Sequence, residues 1–189
     1  MPVRNVVAMM AMSLVAGATA SAQTLRSTTP AERLMKLLSD RKMAHVAAAD
    51  PREKGRYVAA ALIGGSQLLV VSARYAQPAL LNERLYRGDH EGAYVELNAA
   101  SVRDGKLFVQ DLGEPGLRPT RSEAGPFDIV YESGGKGTAF NGDWKAQGLS
   151  KDDYRSAFAA ADEKYAHALD ALLRSLAEAD TGSATGAKP

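Results

Sequence analysis

The sequence predicts an α+β protein: a mostly antiparallel sheet with an N-terminal helix, one inserted helix and a long C-terminal helix. Three observations carry this expectation. Two apolar runs, residues 57–63 and 68–72, flank Gly64 and Gly65, and a glycine pair between apolar runs signals a hairpin. Asp104-Gly105 and Asn141-Gly142 punctuate later short runs as turns. From Ser150 onward, apolar residues recur at steps of three and four, which is the helical period. Hairpin turns dominate between the helices, so the strands should pair with their sequence neighbours.

The chain begins with a segment of a different kind. Met1-Pro2-Val3-Arg4 forms a short positive region, and residues 6–15 are apolar except for Ser13. Ala20-Ser21-Ala22 is a small-x-small site. Together these read as a secretory signal peptide, cleaved between Ala22 and Gln23. The apolar run is too short to cross a bilayer, which takes roughly 20 residues. No cysteine follows it to carry a lipid. The expected location is the periplasm or the exterior, without a membrane anchor after cleavage.

Residues 23–28 read as a polar leader, residues 29–180 as one α+β domain, and residues 181–189 as an unstructured tail. Thr29-Pro30-Ala31-Glu32 matches a capping box with proline at the first helical position. The helix it opens carries Leu34, Met35, Leu37 and Leu38 and should end near Lys42. Residues 43–49 read either as the end of that helix or as a first strand, and Asp50-Pro51 stops either one. The runs at 57–63 and 68–72 are apolar almost throughout, which predicts strands buried on both faces, as in a closed barrel or sandwich over residues 43–140. Pro78 opens the inserted helix at residues 78–87, and strands follow at 94–97 and 106–110. Residues 112–125 form a loop rich in glycine and proline, and short strands are expected at 127–131 and 138–140. The last helix, residues 151–179, is capped by Ser150 and has Asp152 and Asp153 in its first turn, where the helix dipole favours acids. Its stripe is Tyr154, Phe158, Ala161, Tyr165, Leu169, Leu172, Leu173 and Leu176. Such a stripe covers a sheet, or joins two copies as a homodimer.

Charge and composition exclude several classes. The full chain has 23 Lys and Arg against 22 Asp and Glu. Loss of Arg4 with the leader makes the mature chain neutral, which gives no basic footprint for nucleic acid. The absence of cysteine removes thiol chemistry and disulfides. Stability must come from the core, and a domain near 150 residues buries roughly 68–70% of its unfolded surface.

No catalytic motif is present, and no metal-ligand spacing. Ser133-Gly134-Gly135-Lys136-Gly137-Thr138 resembles a phosphate loop but lacks the required glycine spacing, and a turn is the expected structure. Arg87-Gly88-Asp89 sits at an expected helix end in a mixed-charge stretch. His45, His90 and His167 are far apart, and His167 falls off the apolar stripe, which predicts exposure. Asp111, Asp128, Glu132 and Asp143 fall near loops and read as solvated acids, with calcium binding or acid–base work as the other reading. Trp144, the only tryptophan, either anchors the last helix or lines a pocket.

The order helix, strand, strand, hairpin, strand, short helix, strand, strand over residues 30–112 resembles the split β-barrel flavoproteins related to pyridoxamine-phosphate oxidase. The resemblance is one of topology. It implies a split-barrel-like sheet and places Arg56 near the family's phosphate-binding arginine. It also places Ser72 where a Thr or Ser ends the third strand. Ala76 stands where Ser is usual and Pro78 where Lys is usual; Arg74 is the substitute cation near that helix start. FMN, or a haem, is the cofactor class this resemblance implies.

The sequence therefore predicts an exported small-ligand-binding module with a degenerate flavin site flanked by Arg56, Ser72, Arg74 and Trp144. The alternative is a non-catalytic envelope interaction protein, homodimeric through the last helix or the sheet.

Overall fold

The computed structural model describes residues 25–74, 107–120, 126–132 and 137–185, with side chains to residue 180. The expected signal peptide, the inserted helix at 78–87 and the strand at 94–97 lie outside the described residues. The expected tail from residue 181 is corrected in part: the last helix continues to Thr185, past its expected end at 179, and residues 186–189 lie outside the described residues.

Among the described residues the order is helix α1 (Thr28–Asp40), strands β1 (His45–Ala49), β2 (Arg56–Ile63), β3 (Gln67–Arg74), β4 (Leu107–Leu112), β5 (Asp128–Tyr131) and β6 (Gly137–Phe140), then helix α2 (Lys151–Thr185). The six strands form one sheet in sequence order, each pair antiparallel. The α+β class is thus as the sequence predicts. The expected closed barrel is corrected: the sheet is open, and among the described residues no ladder joins β1 to β6. Continuous apolarity predicts burial on two faces, and an open sheet satisfies that as well as a closed one.

Period-2 alternation sorts the two faces. Val58, Ala60, Leu68, Val70, Leu107, Val109 and Val130 share one cluster with Ala31, Leu34 and Leu38 of α1 and with the stripe of α2. Ala59, Ala61, Leu69, Val71, Ala73 and Phe108 form a second cluster. All eight expected stripe residues of α2, from Tyr154 to Leu176, are buried in the first cluster. The stripe therefore closes this chain's own core.

The β2–β3 turn spans Gly64, Gly65 and Ser66, one residue more than the glycine pair alone predicts. Both glycines take left-handed φ, at 57° and 77°, and Ser66 N–H closes on the Ile63 carbonyl at 3.2 Å. Helix α1 stops as expected near Lys42. That residue turns left-handed at φ 54°, and Met43 N–H reaches the Leu38 carbonyl at 2.8 Å.

The start of α1 differs from expectation. Its N-cap position is Ser27, not Thr29, and no side chain caps the helix. The Ser27 hydroxyl instead accepts the Leu117 N–H at 2.9 Å. Backbone N–H groups of Arg26 and Ser27 donate to the two oxygens of buried Asp162 on α2, at 2.7 and 3.0 Å. The capping-box reading fails because the helix already includes Thr28 and Thr29, and Ser27 at the N-cap gives its hydroxyl to the loop after β4.

At the other edge, β6 is covered by a side chain. Gln147 Oε1 accepts the Ala139 N–H at 3.0 Å, and Gln147 Nε2 donates to the Ala139 carbonyl at 2.7 Å. This is the donor–acceptor pair a neighbouring strand would present, and it blunts an open edge. Ser150 then caps α2 as expected: its Oγ accepts the Asp153 N–H at 3.1 Å and donates to Asp153 Oδ2 at 2.6 Å.

Candidate functional site

Three of the four expected ligand residues stand together. Arg56 opens β2, and Ser72 and Arg74 end β3. Their positions share the parity of Val58 and Val70, so all three lie on the helix-facing side of the sheet. The antiparallel register sets Arg56 opposite Arg74 and Val58 opposite Ser72. Two arginines directly across a ladder repel, and the pair is stable only with a counter-charge nearby.

Glu53 supplies that charge from the β1–β2 turn. Arg56 Nη2 donates to Glu53 Oε1 at 3.2 Å, and Arg56 Nε lies against Glu53 Oε2 as an ion contact without hydrogen-bond alignment, so both carboxylate oxygens face the guanidinium fork. Arg74 Nη2 lies 3.9 Å from the same Oε1. The third nitrogen, Arg56 Nη1, donates to Ser72 Oγ at 3.3 Å. The Arg56 side chain is 14% exposed and Glu53 45%.

A cleft of about 530 Å³ opens over Glu53, Arg56 and Ser72, at the sheet end where β2 and β4 begin and β3 and β5 finish, with Arg74 outside its lining. Its described lining adds Asp50, Arg52, Leu107, Glu132 and, from α2, Lys164 and His167. Lys164 Nζ bonds Glu132 Oε2 at 2.8 Å across the wall. Arg52 lies 3.9 Å from Asp170. Both signs of charge thus face one space, mostly in ion pairs that are half exposed and worth about 0–1 kcal/mol each. A polar ligand can exchange with such pairs at small cost.

Trp144 does not join them. It is half-buried against the main core near the start of α2, with Lys145 Nζ 5.1 Å from its ring centroid. It anchors rather than lines this cleft. Sequence reasoning missed Glu53, Lys164 and Glu132 as cleft residues. Glu53 stands three residues before Arg56, a spacing that joins them only once the turn is folded. His167 is exposed as expected, but on the cleft rim.

The loop acids are a larger correction. Asp111 and Asp128 are 2% and 3% exposed, not solvated. Asp111 Oδ2 accepts Gly116 N–H at 2.9 Å and the Tyr165 hydroxyl at 2.8 Å. Asp128 accepts Leu112 N–H at 2.9 Å and Arg118 N–H at 2.7 Å. Both carboxylates share the parity of Val109 and Val130, so the register turns them into the core. Burial raises Asp111 from the ordinary 3.8 to about 6, against the pull of its Tyr165 and Gly116 bonds. Burial raises Asp128 to about 7, with the nearby Asp111 charge adding to it. These acids hold the loop after β4 rather than face a ligand. Asp143 is exposed, as expected. Among the described residues no three His, Asp or Glu side chains converge to hold a metal.

The described residues do not fit a flavin phosphate or a haem. Glu53 fills the Arg56 fork with a planar carboxylate. Ala76 and Pro78, which lie outside the described residues, carry no side-chain donor for a phosphate. The described lining is mainly charged, whereas a porphyrin buries two apolar faces. Comparison of the chain with protein-family models, with curated proteins and with solved structures finds no match.

Proposed function

We propose that this chain is an exported small-ligand-binding module, and that its site is the cleft between the sheet end and α2. The observation that carries the reading is the convergence of Arg56, Ser72, Lys164 and His167, from three separate elements, on one space of about 530 Å³. A volume of that size suits a small metabolite. Charges of both signs on its wall suit a polar ligand that carries a charged group. Binding is favoured over catalysis because the Ser72 hydroxyl meets a guanidinium, which cannot take a proton from it. The leader at residues 1–22 supports export.

The test is a ligand panel of zwitterions, dicarboxylates, FMN and haem, read by thermal shift and by NMR shifts at cleft residues. A true ligand at a hundred times its Kd stabilises the protein by about 2.7 kcal/mol. That gain should vanish in Arg56→Lys and shrink in Lys164→Ala. A panel without any shift at Arg56, Ser72, Lys164 or His167 sinks the reading. Bound FMN or haem, seen as colour, would restore the cofactor the lining argues against.

A further inference from the structure

The geometry points to the Arg56 fork as a carboxylate-recognition site that Glu53 holds closed, so that a ligand carboxylate binds by taking the place of Glu53 between Arg56 and Arg74. This rests on the ligand-binding reading above and names the group the cleft selects.

The fork already displays its own specificity. Nη2 of Arg56 donates to one oxygen of the Glu53 carboxylate while Nε lies against the other without hydrogen-bond alignment, so the guanidinium edge faces both oxygens of one planar acid. Arg74, held opposite by the β2–β3 register, approaches the same oxygen at 3.9 Å. The strands therefore build the acceptor position, whichever carboxylate occupies it.

The two sides of the contact are anchored unequally. Arg56 is rooted in a strand, its side chain 14% exposed, and its Nη1 is tied to Ser72, itself 6% exposed. Glu53 is 45% exposed and rides a turn closed by Glu53 N–H to the Asp50 carbonyl at 3.3 Å and Arg56 N–H to the Glu53 carbonyl at 3.0 Å. The cationic half stays in place while the carboxylate half can swing to solvent. Exchange of one carboxylate for another conserves the fork and leaves no buried charge alone, so the exchange is nearly balanced. Glu53 then acts as an internal competitor. Lys164 stands on the same cleft wall, which gives a dicarboxylate a second cation to meet.

Calorimetric titration of the whole chain with succinate, at one low ionic strength, tests this. Removing the competitor in Glu53→Ala should tighten succinate binding roughly two- to fivefold, the worth of a half-exposed ion pair. Glu53→Gln should move the same way by less, because its amide oxygen still accepts one bond. Arg56→Lys keeps the charge but loses the fork, and should lose the gain when combined with Glu53→Ala. Inorganic phosphate should gain less than succinate. Equal succinate affinity in wild type and in folded Glu53→Ala overturns the inference, as does an equal or larger gain for phosphate. If another ligand binds the cleft of both proteins alike, the ligand-binding reading stands and the Glu53 gate falls.

Discussion

The Tyr165 hydroxyl donates to Asp111 Oδ2 at 2.8 Å, joining the middle of α2 to the end of β4 across 54 residues of sequence. Tyr165 is fully buried, and Asp111 is nearly so. The same Asp111 oxygen accepts Gly116 N–H, and Gly116 presses on the start of α1. One carboxylate thus ties the sheet, the long helix and the first helix together. Tyr165→Phe removes a donor from a buried acceptor and should cost about 1–3 kcal/mol. Urea titration should show a lower midpoint with an unchanged slope. Asp111, no longer held down by that bond, should also titrate higher by NMR.

Stability should depend on pH in an unusual direction. Asp111 and Asp128 titrate near 6 and 7 in the folded chain and near 3.8 when unfolded. Between those values the folded state holds protons that the unfolded state has lost. Their contribution is therefore complete below about pH 4, falls as pH rises, and is gone above about pH 7. The loss should be on the order of a few kcal/mol, since a tenfold difference in proton affinity is worth about 1.4 kcal/mol. Denaturant midpoints measured across this window check it. Asp128→Asn should flatten the upper part, whereas stability rising from pH 4 to 7 in the wild type would contradict the assignment.

Gly116 should not tolerate a side chain. Its φ is +82°, and a Cβ there would sit 2.5 Å from Thr28 Cα. Gly116→Ala combines left-handed strain with a backbone clash and should cost about 1–3 kcal/mol or more. Thermal melts would show this. Gly64→Ala makes a useful contrast: φ is also positive, but nothing lies within 4 Å, so only the conformational cost of about 1 kcal/mol should appear.

Gln147→Ala should open the edge of β6. Both its bonds to Ala139 disappear, and Ala139 N–H faces water. Amide exchange at Ala139 should quicken, with a stability loss of about 1 kcal/mol. Unchanged protection at Ala139 would mean the side chain does not act as a strand.

Much of this was legible without coordinates. Gly64 and Gly65 between apolar runs marked the β2–β3 hairpin, because φ above zero is nearly free for glycine alone. The three- and four-residue steps from Tyr154 to Leu176 marked α2, because that spacing puts one stripe on the core. Both signals are local, set by the backbone within a turn or two. Arg56, Ser72 and Arg74, grouped in the sequence only through the resemblance to split-barrel flavoproteins, share one face through the hairpin register.

What escaped was set by pairing at a distance. Asp111 and Asp128 look like loop acids because loops follow or precede them, yet their parity with Val109 and Val130 sends them inward. Ser27 rather than Thr29 stands at the start of α1, and its hydroxyl serves Leu117, 90 residues away. Glu53 entered the site because a turn swings it onto Arg56 and Arg74.

The sequence by itself determined the α+β class, the β2–β3 hairpin and the long amphipathic helix. Each follows from backbone periodicity or turn chemistry, which act over a few residues. Only the tertiary structure decided that the sheet stays open, that two aspartates are buried on a tyrosine and loop amides, and that Glu53 fills the arginine fork. Those outcomes depend on which distant groups compete for one donor or one charge, and that competition is settled when the layers pack.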